Sequence, residues 1–239
     1  LRGQVIAEGE VMPGHWMAMN TANSSVVLKG VPTTEPVFKL PATWVDEVER
    51  RNAEMAGYTV VDASSVMVTH LSESVRRHAY QILTRQDVQM LMDNLKDDHP
   101  ALINELIPNM LNIGQIQRIL QNLLAEVIPI RNLVGILERV ADHAAATKNP
   151  DELSEQARRV LGFEIIKPFL TDENEGRAVT MEPWLEEEIA KGLQKSATES
   201  VLFMEPKLAQ HMTHHLATAV QPMIGAGQQP VVLCSTQVR

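Results

Sequence analysis

Residues 57–66, GYTVVDASSV, form the stretch in which the local sequence pattern changes most sharply. Gly57 is suited to end a preceding helix, because glycine readily adopts the left-handed conformation found just after a helix C-terminus. The next four residues, 58–61, are aromatic or β-branched and predict a strand. Asp62 or Ser64 can then cap a long helix whose apolar residues recur at helical spacing. The stretch therefore predicts helix, strand and helix in quick succession, as in a mixed α/β region.

The segment before this stretch predicts strands and loops around one helix. Apolar residues alternate enough over residues 1–11 to indicate a strand. Residues 15–41 hold short apolar runs among Ser, Thr, Gly and Pro, which predicts loops with short strands. Thr43, with Asp46 three residues later, has the pattern of a capping box, and Gly57 marks the end of the helix that would follow.

The segment after it, residues 84–162, predicts amphipathic helices joined by short loops. We expect these helices to share one core and to form a single all-α subdomain. Helix start signals recur through the region, at Thr84 with Asp87, Pro100, Asn112 with Gln115, Pro129, and Asn149 with Pro150. The residues expected at the centre of the core are Leu91, Ile119, Leu123, Leu133 and Leu137.

The C-terminal part alternates between strand and helix patterns. Strands are predicted over 163–170, 178–181 and 230–234, and helices over 184–193 and 206–224. The last strand is almost entirely apolar, so we expect it to lie in a parallel sheet, buried on both faces. These elements predict a small α/β subdomain, truncated because the chain stops just after a strand.

Composition narrows the functional classes. The 239 residues carry a net charge of −9, and no basic run is longer than Arg76-Arg77-His78, so neither nucleic acid nor an anionic membrane surface is an expected partner. Aromatics are 4% of the chain, which indicates an aliphatic core. One cysteine excludes an internal disulfide, and no apolar stretch reaches the ~20 residues that span a bilayer. The chain begins without Met in a strand-like pattern and is interpreted as a fragment.

Catalytic signatures are missing, so we predict a protein without enzymatic activity, cofactor or metal. Gly225-Ala226-Gly227 lacks the remainder of a nucleotide-binding fingerprint, and Cys234 lies in a predicted core strand. His211 and His215 could chelate a metal from one helix, but no Glu follows His211 as a general base and no third ligand is evident. We therefore expect these histidines to face solvent or to pack between helices.

The stretch at 57–66 also carries a resemblance to a known family. Together with the motifs around it, it resembles the export-gate proteins of type III secretion, and its upstream part looks like the flagellar branch of that family in particular. The matching segments keep the family's order and spacing over about residues 10–165: 13–20, 34–38, 57–71, 76–79, 83–89, 120–124, 129–133, 136–138 and 148–151.

The resemblance implies an α+β, multi-subdomain cytoplasmic region: a mixed α/β N-terminal part, an all-α middle and a small α/β C-terminal part. It places residues 1–13 and 63–82 in a first subdomain, 14–62 in a second, 83–162 in a helical third, and 163–239 in a fourth.

The family's full-length proteins are anchored in the bacterial inner membrane, and their cytoplasmic parts form nine-fold rings. The implied partners are export chaperone–substrate complexes (flagellin, hook-associated and filament-cap chaperones), other export-apparatus proteins and further copies of the chain, but not nucleic acid.

Carried over residue by residue, the resemblance places chaperone binding at Glu35, where the family has Asp or Glu, at Phe38 and at Thr69. Phe38 would be the aromatic anchor of the interface, with polar contacts from the other two. Taken alone, Phe38 could equally be a core residue of a small domain. Lys39 replaces the family's usual Gly, and residues 20–22 are Asn-Thr-Ala rather than Asn-Pro-Gly, so we expect the rim of the pocket to differ in detail.

Three other functions stay open at this point. The injectisome counterpart would have the same role with virulence effectors as cargo, although the 35–38 and 59–61 motifs favour the flagellar branch. An enzyme built on the α/β tail would require His211, His215 and a carboxylate to converge in a cleft. A generic helical adaptor would explain residues 84–162 but not the ordered motifs upstream.

Overall fold

The computed structural model describes residues 1–171, 173–195, 200–226, 228–236 and 238–239. The chain forms two compact units, Leu1–Ser154 and Glu155–Arg239, and it passes from one to the other within a helix. Its fold is mixed helix and sheet, as predicted. Within the described ranges no helix is both long and apolar enough to cross a bilayer.

A four-stranded antiparallel sheet organises the first half of unit 1. Its strands are β1 (Trp16–Met19), β2 (Val31–Thr34), β3 (Pro41–Val45) and β4 (Thr59–Asp62), in the order β2-β3-β1-β4. Successive side chains of a strand point to opposite faces, so each face has its own core. Met17 and Trp44, opposite each other in the register, pack on one face with Val66. Ala18 and Val45 pack on the other face with Ala53.

Two helices cover these faces. Helix α1 (Glu47–Met55) provides Ala53, and its N-cap is Asp46, whose side chain accepts a hydrogen bond from the Glu49 N–H. Helix α2 (Ala63–Arg77) provides Val66, and its N-cap is Asp62. The first helix thus begins later than predicted, because Thr43 lies inside β3. The expected strand over 1–11 is also wrong, since these residues form turns and irregular backbone.

The helical part of unit 1 agrees with four of its five start signals; after Pro129 the helix begins only at Leu133, with Asn132 as its N-cap. It comprises α3 (Ala79–Ile82), α4 (Arg85–Asp98), α5 (Pro100–Leu106), α6 (Ile113–Ala125), α7 (Leu133–Ala144) and α8 (Pro150–Val160), the helix in which the chain leaves this unit. Both predicted capping boxes are present, at Thr84 with Asp87 and at Asn112 with Gln115. Ile119, Leu123 and Leu137 are buried as expected, whereas Leu91 and Leu133 are only half-buried.

The described residues of unit 2 form the end of α8, short strands and further helices. Its elements are α9 (Gly162–Ile166), a 3₁₀ turn (Lys167–Phe169), β5 (Val179–Thr180), α10 (Pro183–Gly192), β6 (Leu193–Lys195), β7 (Ser200–Leu202), α11 (Pro206–Gly225) and β8 (Val232–Leu233). The strand predicted over 163–170 is wrong: the short apolar run fits either period, and it forms a helical turn. Strand β8 does pair in parallel with β5, but it is not buried on both faces, because Val232 and Leu233 are exposed.

Candidate functional site

A tight turn between β2 and β3 presents the first two predicted site residues. Glu35 is buried, and its carboxylate faces the backbone of its own turn: one oxygen accepts from the Val37 N–H (2.9 Å) and the other from the Phe38 N–H (2.5 Å). The Lys39 N–H donates to the Glu35 carbonyl, and the Glu35 N–H donates to the Leu40 carbonyl. The turn is therefore closed by hydrogen bonds, and the side chain of Val37 within it is buried.

Phe38 stands at the tip of this turn with 68% of its surface exposed. This exposure contradicts the alternative in which Phe38 is a core residue. Lys39 beside it has φ +58°, a left-handed conformation that glycine adopts more easily. A glycine would adopt this backbone geometry without steric cost, whereas Lys39 adopts it with a side chain.

The turn and helix α2 enclose a cavity of about 300 Å³ that brings the three predicted residues together. Glu35 and Phe38 line it from the turn, and Thr69 lines it from α2. The other lining residues are mainly apolar and come from β1, β4, α2 and the loops beside them: Met19, Thr21, Leu40, Val61, Ser65 and Val66. Which molecule binds there stays a prediction.

The family motifs did not identify several of the lining residues as part of the site, among them Ser65, Val61 and Met19. Helical spacing in the sequence points to the first of these. Ser65 and Thr69 are four residues apart on α2, so they share one face of the helix. Val61 lies in β4 next to Met17 of β1. The position of Met19 depends on strand pairing between distant segments, which no local sequence signal specifies.

Hydrogen bonds at the start of α2 fix the helix that carries Ser65 and Thr69. The Asp62 carboxylate accepts from the Ser65 hydroxyl (2.5 Å) and from the Ser65 N–H (2.9 Å). These bonds, the hydroxyl first, hold the pKa of Asp62 below its ordinary value. An ionised Asp62 thus caps α2 and holds Ser65 at the edge of the cavity.

The chemistry of the cavity suits binding rather than catalysis. Glu35 is the one ionisable side chain among the described residues that line it, and its carboxylate oxygens are already used by backbone N–H groups. Thr21, Ser65 and Thr69 add hydroxyl groups to a mainly apolar wall. Such a surface fits an apolar or aromatic side chain with a few polar contacts at its edge.

A second cavity of about 280 Å³ lies on the other side of Val66, which lines both. It contains Pro36 from the turn and exposed apolar residues of α2, including Met67 (55% exposed) and Leu71 (64% exposed). The apolar surface around Phe38 therefore continues along α2. Extended apolar surface of this kind is typical of a protein-binding site.

Comparison with known proteins gives the family. The model of the FHIPEP family matches residues 1–239. The chain belongs to the FHIPEP family. Curated relatives include the flagellar biosynthesis protein FlhA of Bacillus subtilis, 35% identical, and of Borreliella burgdorferi, 37% identical, each over the whole of this chain. The chain spans about a third of the length of these relatives, 35% and 34% respectively.

Solved structures agree with the fold. The Chlamydia pneumoniae CdsV protein has a TM-score of 0.77 at 23% identity, and the match covers 98% of this chain and 66% of that one. The nonameric SctV-C of EPEC has a TM-score of 0.75 at 19% identity, covering 100% of this chain and 72% of the other. At these identities the likeness supports the fold alone.

Proposed function

We propose that this chain is part of the cytoplasmic docking platform of a flagellar type III export gate, and that the cavity beside Phe38 binds export chaperone–substrate complexes. The observation that carries this proposal is an aromatic side chain 68% exposed, held over an apolar cavity by the hydrogen bonds of Glu35. Aromatic anchors dominate the binding energy of protein interfaces. Phe38, with Thr69 on the opposite wall, has the exposure and the setting of such an anchor.

The assembly and location of the platform are part of the same proposal. The full-length protein would be anchored in the inner membrane, with this region on the cytoplasmic face and in four subdomains. The nonameric state of the related SctV-C supports a ring of nine copies. A solved complex of CdsV with CdsO supports contacts with other parts of the export apparatus. We propose a binding role without enzymatic activity.

The alternative to a flagellar export gate is the export gate of an injectisome. The solved structures compared include injectisome proteins, and those compared are at most 23% identical to this chain. The flagellar relatives are 31–37% identical over nearly the whole chain. The difference in identity favours flagellar substrates over virulence effectors.

The test is a titration of flagellar chaperone–substrate complexes against immobilised protein and two phenylalanine variants. Phe38→Ala removes the anchor, which at an interface commonly costs about 2 kcal/mol or more, roughly thirtyfold in affinity. Phe163→Ala is the matched control, because Phe163 is 64% exposed but lies in unit 2. We expect only Phe38→Ala to weaken binding. Equal affinities for Phe38→Ala and wild type would refute the site, and exclusive binding of virulence chaperones would favour the injectisome.

A further inference from the structure

Two histidines of helix α11 converge at a cavity in unit 2. His211 and His215 are one helical turn apart, and their Nε2 atoms are 3.0 Å from each other. Both line a mainly apolar cavity of about 370 Å³, together with Trp184, Leu208 and Leu216. This cavity is separate in sequence from the Phe38 site, and the proposed docking function does not use it.

The separation of the two nitrogens equals the bite of a chelate. A divalent metal binds imidazole nitrogen at about 2.0–2.1 Å, so two nitrogens in neighbouring coordination positions, about 90–110° apart, lie about 2.8–3.4 Å from each other. The 3.0 Å spacing of His211 and His215 lies within this range, and imidazole ligands bind Cu²⁺ more tightly than Ni²⁺ or Zn²⁺. We infer that this pair binds one late first-row divalent cation, Cu²⁺ most tightly, followed by Ni²⁺ and Zn²⁺.

The same distance would also fit a hydrogen bond from one neutral imidazole to the other. That bond is exposed, so it competes with water and stabilises the helix only slightly. A metal ion would replace this bond with two coordinate bonds, for which both Nε2 atoms must be unprotonated and both rings must turn their lone pairs toward one point. The helix backbone already places the two nitrogens within chelating distance, which lowers the entropy lost when a metal binds.

The pair would supply two ligands and leave the other positions of the metal open. Among the described residues no group of three His, Cys, Asp or Glu side chains could hold a metal. Water or a side chain from a bound protein would complete the coordination. Glu182, which also lines the cavity, accepts a hydrogen bond from the Trp184 indole N–H (2.7 Å), so the indole ring is fixed in the wall of the same cavity.

Trp184 makes the site measurable, because Cu²⁺ and Ni²⁺ quench tryptophan fluorescence at short range. The protein, free of any affinity tag, is titrated with CuCl₂ and NiCl₂ while fluorescence and heat of binding are recorded. We expect one saturable equivalent, with quenching that Trp184→Phe removes while the calorimetric affinity stays. Binding without saturation, or the same quenching in Trp184→Phe, would overturn the proposal.

Histidine variants identify the ligands. His211→Asn and His215→Asn each leave a single imidazole, and we expect a loss of affinity of about tenfold or more because the chelate is broken. His214→Asn is the control: it lies on the same helix but does not line the cavity, and its affinity should equal that of wild type. Melting curves without metal confirm that all three variants fold. Affinities of His211→Asn and His215→Asn within about threefold of wild type would refute the site.

Electron paramagnetic resonance of the Cu²⁺ complex gives a test that needs no variant. Two equivalent imidazole nitrogens should split the copper signal of the wild-type protein. A spectrum with oxygen ligands only would contradict chelation by the pair, whatever the affinities.

Discussion

Glu35→Ala should destabilise unit 1 and, at the same time, weaken binding at Phe38, a residue it does not alter. In the structure the Glu35 carboxylate is buried and accepts two backbone hydrogen bonds, from Val37 and Phe38. A hydrogen bond to a charged group contributes about 1.5–3 kcal/mol, and the N–H groups left behind lose their partners. Because the two bonds share one side chain and are not additive, we expect a loss of about 2–4 kcal/mol.

The assay is urea unfolding followed by tryptophan fluorescence in a Trp184→Phe background. Trp16 and Trp44 then report on the sheet of unit 1, where Trp44 is buried. Glu35→Gln keeps one carbonyl acceptor, so its loss should be smaller, about 1–2 kcal/mol. Glu47→Ala is the control: its carboxylate is 58% exposed and pairs with Arg50 on the surface, where ion pairs contribute little.

Chaperone affinity, measured on the same variants, distinguishes an effect of Glu35 on the orientation of Phe38 from its effect on the free energy of unfolding. If the carboxylate holds the turn, Phe38 loses its orientation in Glu35→Ala, and chaperone affinity falls in protein that is still folded. A free energy of unfolding within about 0.5 kcal/mol of wild type would show that the two hydrogen bonds do not support the turn. Normal affinity in a destabilised but folded variant would show that the turn can present Phe38 without them.

Three further outcomes follow from other parts of unit 1. Lys39→Gly should raise the free energy of unfolding by about 0.5–1 kcal/mol, because Lys39 has φ +58°, a conformation that glycine adopts without steric cost. A lower free energy of unfolding in urea would mean that the Lys39 side chain packs favourably. Leu123→Ala should lower the free energy of unfolding by about 2–5 kcal/mol, because Leu123 is 1% exposed. A melting curve by circular dichroism that is unchanged from wild type would contradict its burial. Asp62→Asn should have a lower free energy of unfolding than wild type at neutral pH. Because the pKa of Asp62 is lowered in the folded state, this difference should shrink as the pH falls and Asp62 is protonated. A difference independent of pH would exclude stabilisation of α2 by the ionised Asp62 carboxylate.

The helical region was predictable because its signals are local. Thr84 with Asp87 and Asn112 with Gln115 are each complete within four residues, and both form reciprocal caps in the structure. The apolar period of α6 then places Ile119 and Leu123 in the core. Leu133, in the first turn of α7, is only partly buried.

The sheet could not be predicted in the same way, because strand pairing joins distant segments. Thr43 and Asp46 together have the pattern of a capping box, but Asp46 alone caps α1 and Thr43 pairs with Ala18 in the sheet. The choice depends on Trp44 and Val45, which reach cores on opposite faces only once β1 lies beside them. Over 163–170 the apolar run is too short to distinguish helix from strand, and its hydrogen bonds begin a helix at Leu161.

The predicted site residues lie together, but the expected role of Glu35 was incomplete. An acidic side chain that precedes a turn by two or three residues can accept hydrogen bonds from the turn's own N–H groups, and this local pattern was present in the sequence. Its use here explains how the backbone at Phe38 can be held while the ring stays exposed. An aromatic that must be free for a partner cannot be held by packing of its own ring, so the backbone beneath it has to be fixed by other bonds. Because both Glu35 oxygens already accept backbone hydrogen bonds, we predict that a partner is recognised mainly by apolar shape and by the hydroxyl groups that line the cavity, those of Thr21, Ser65 and Thr69.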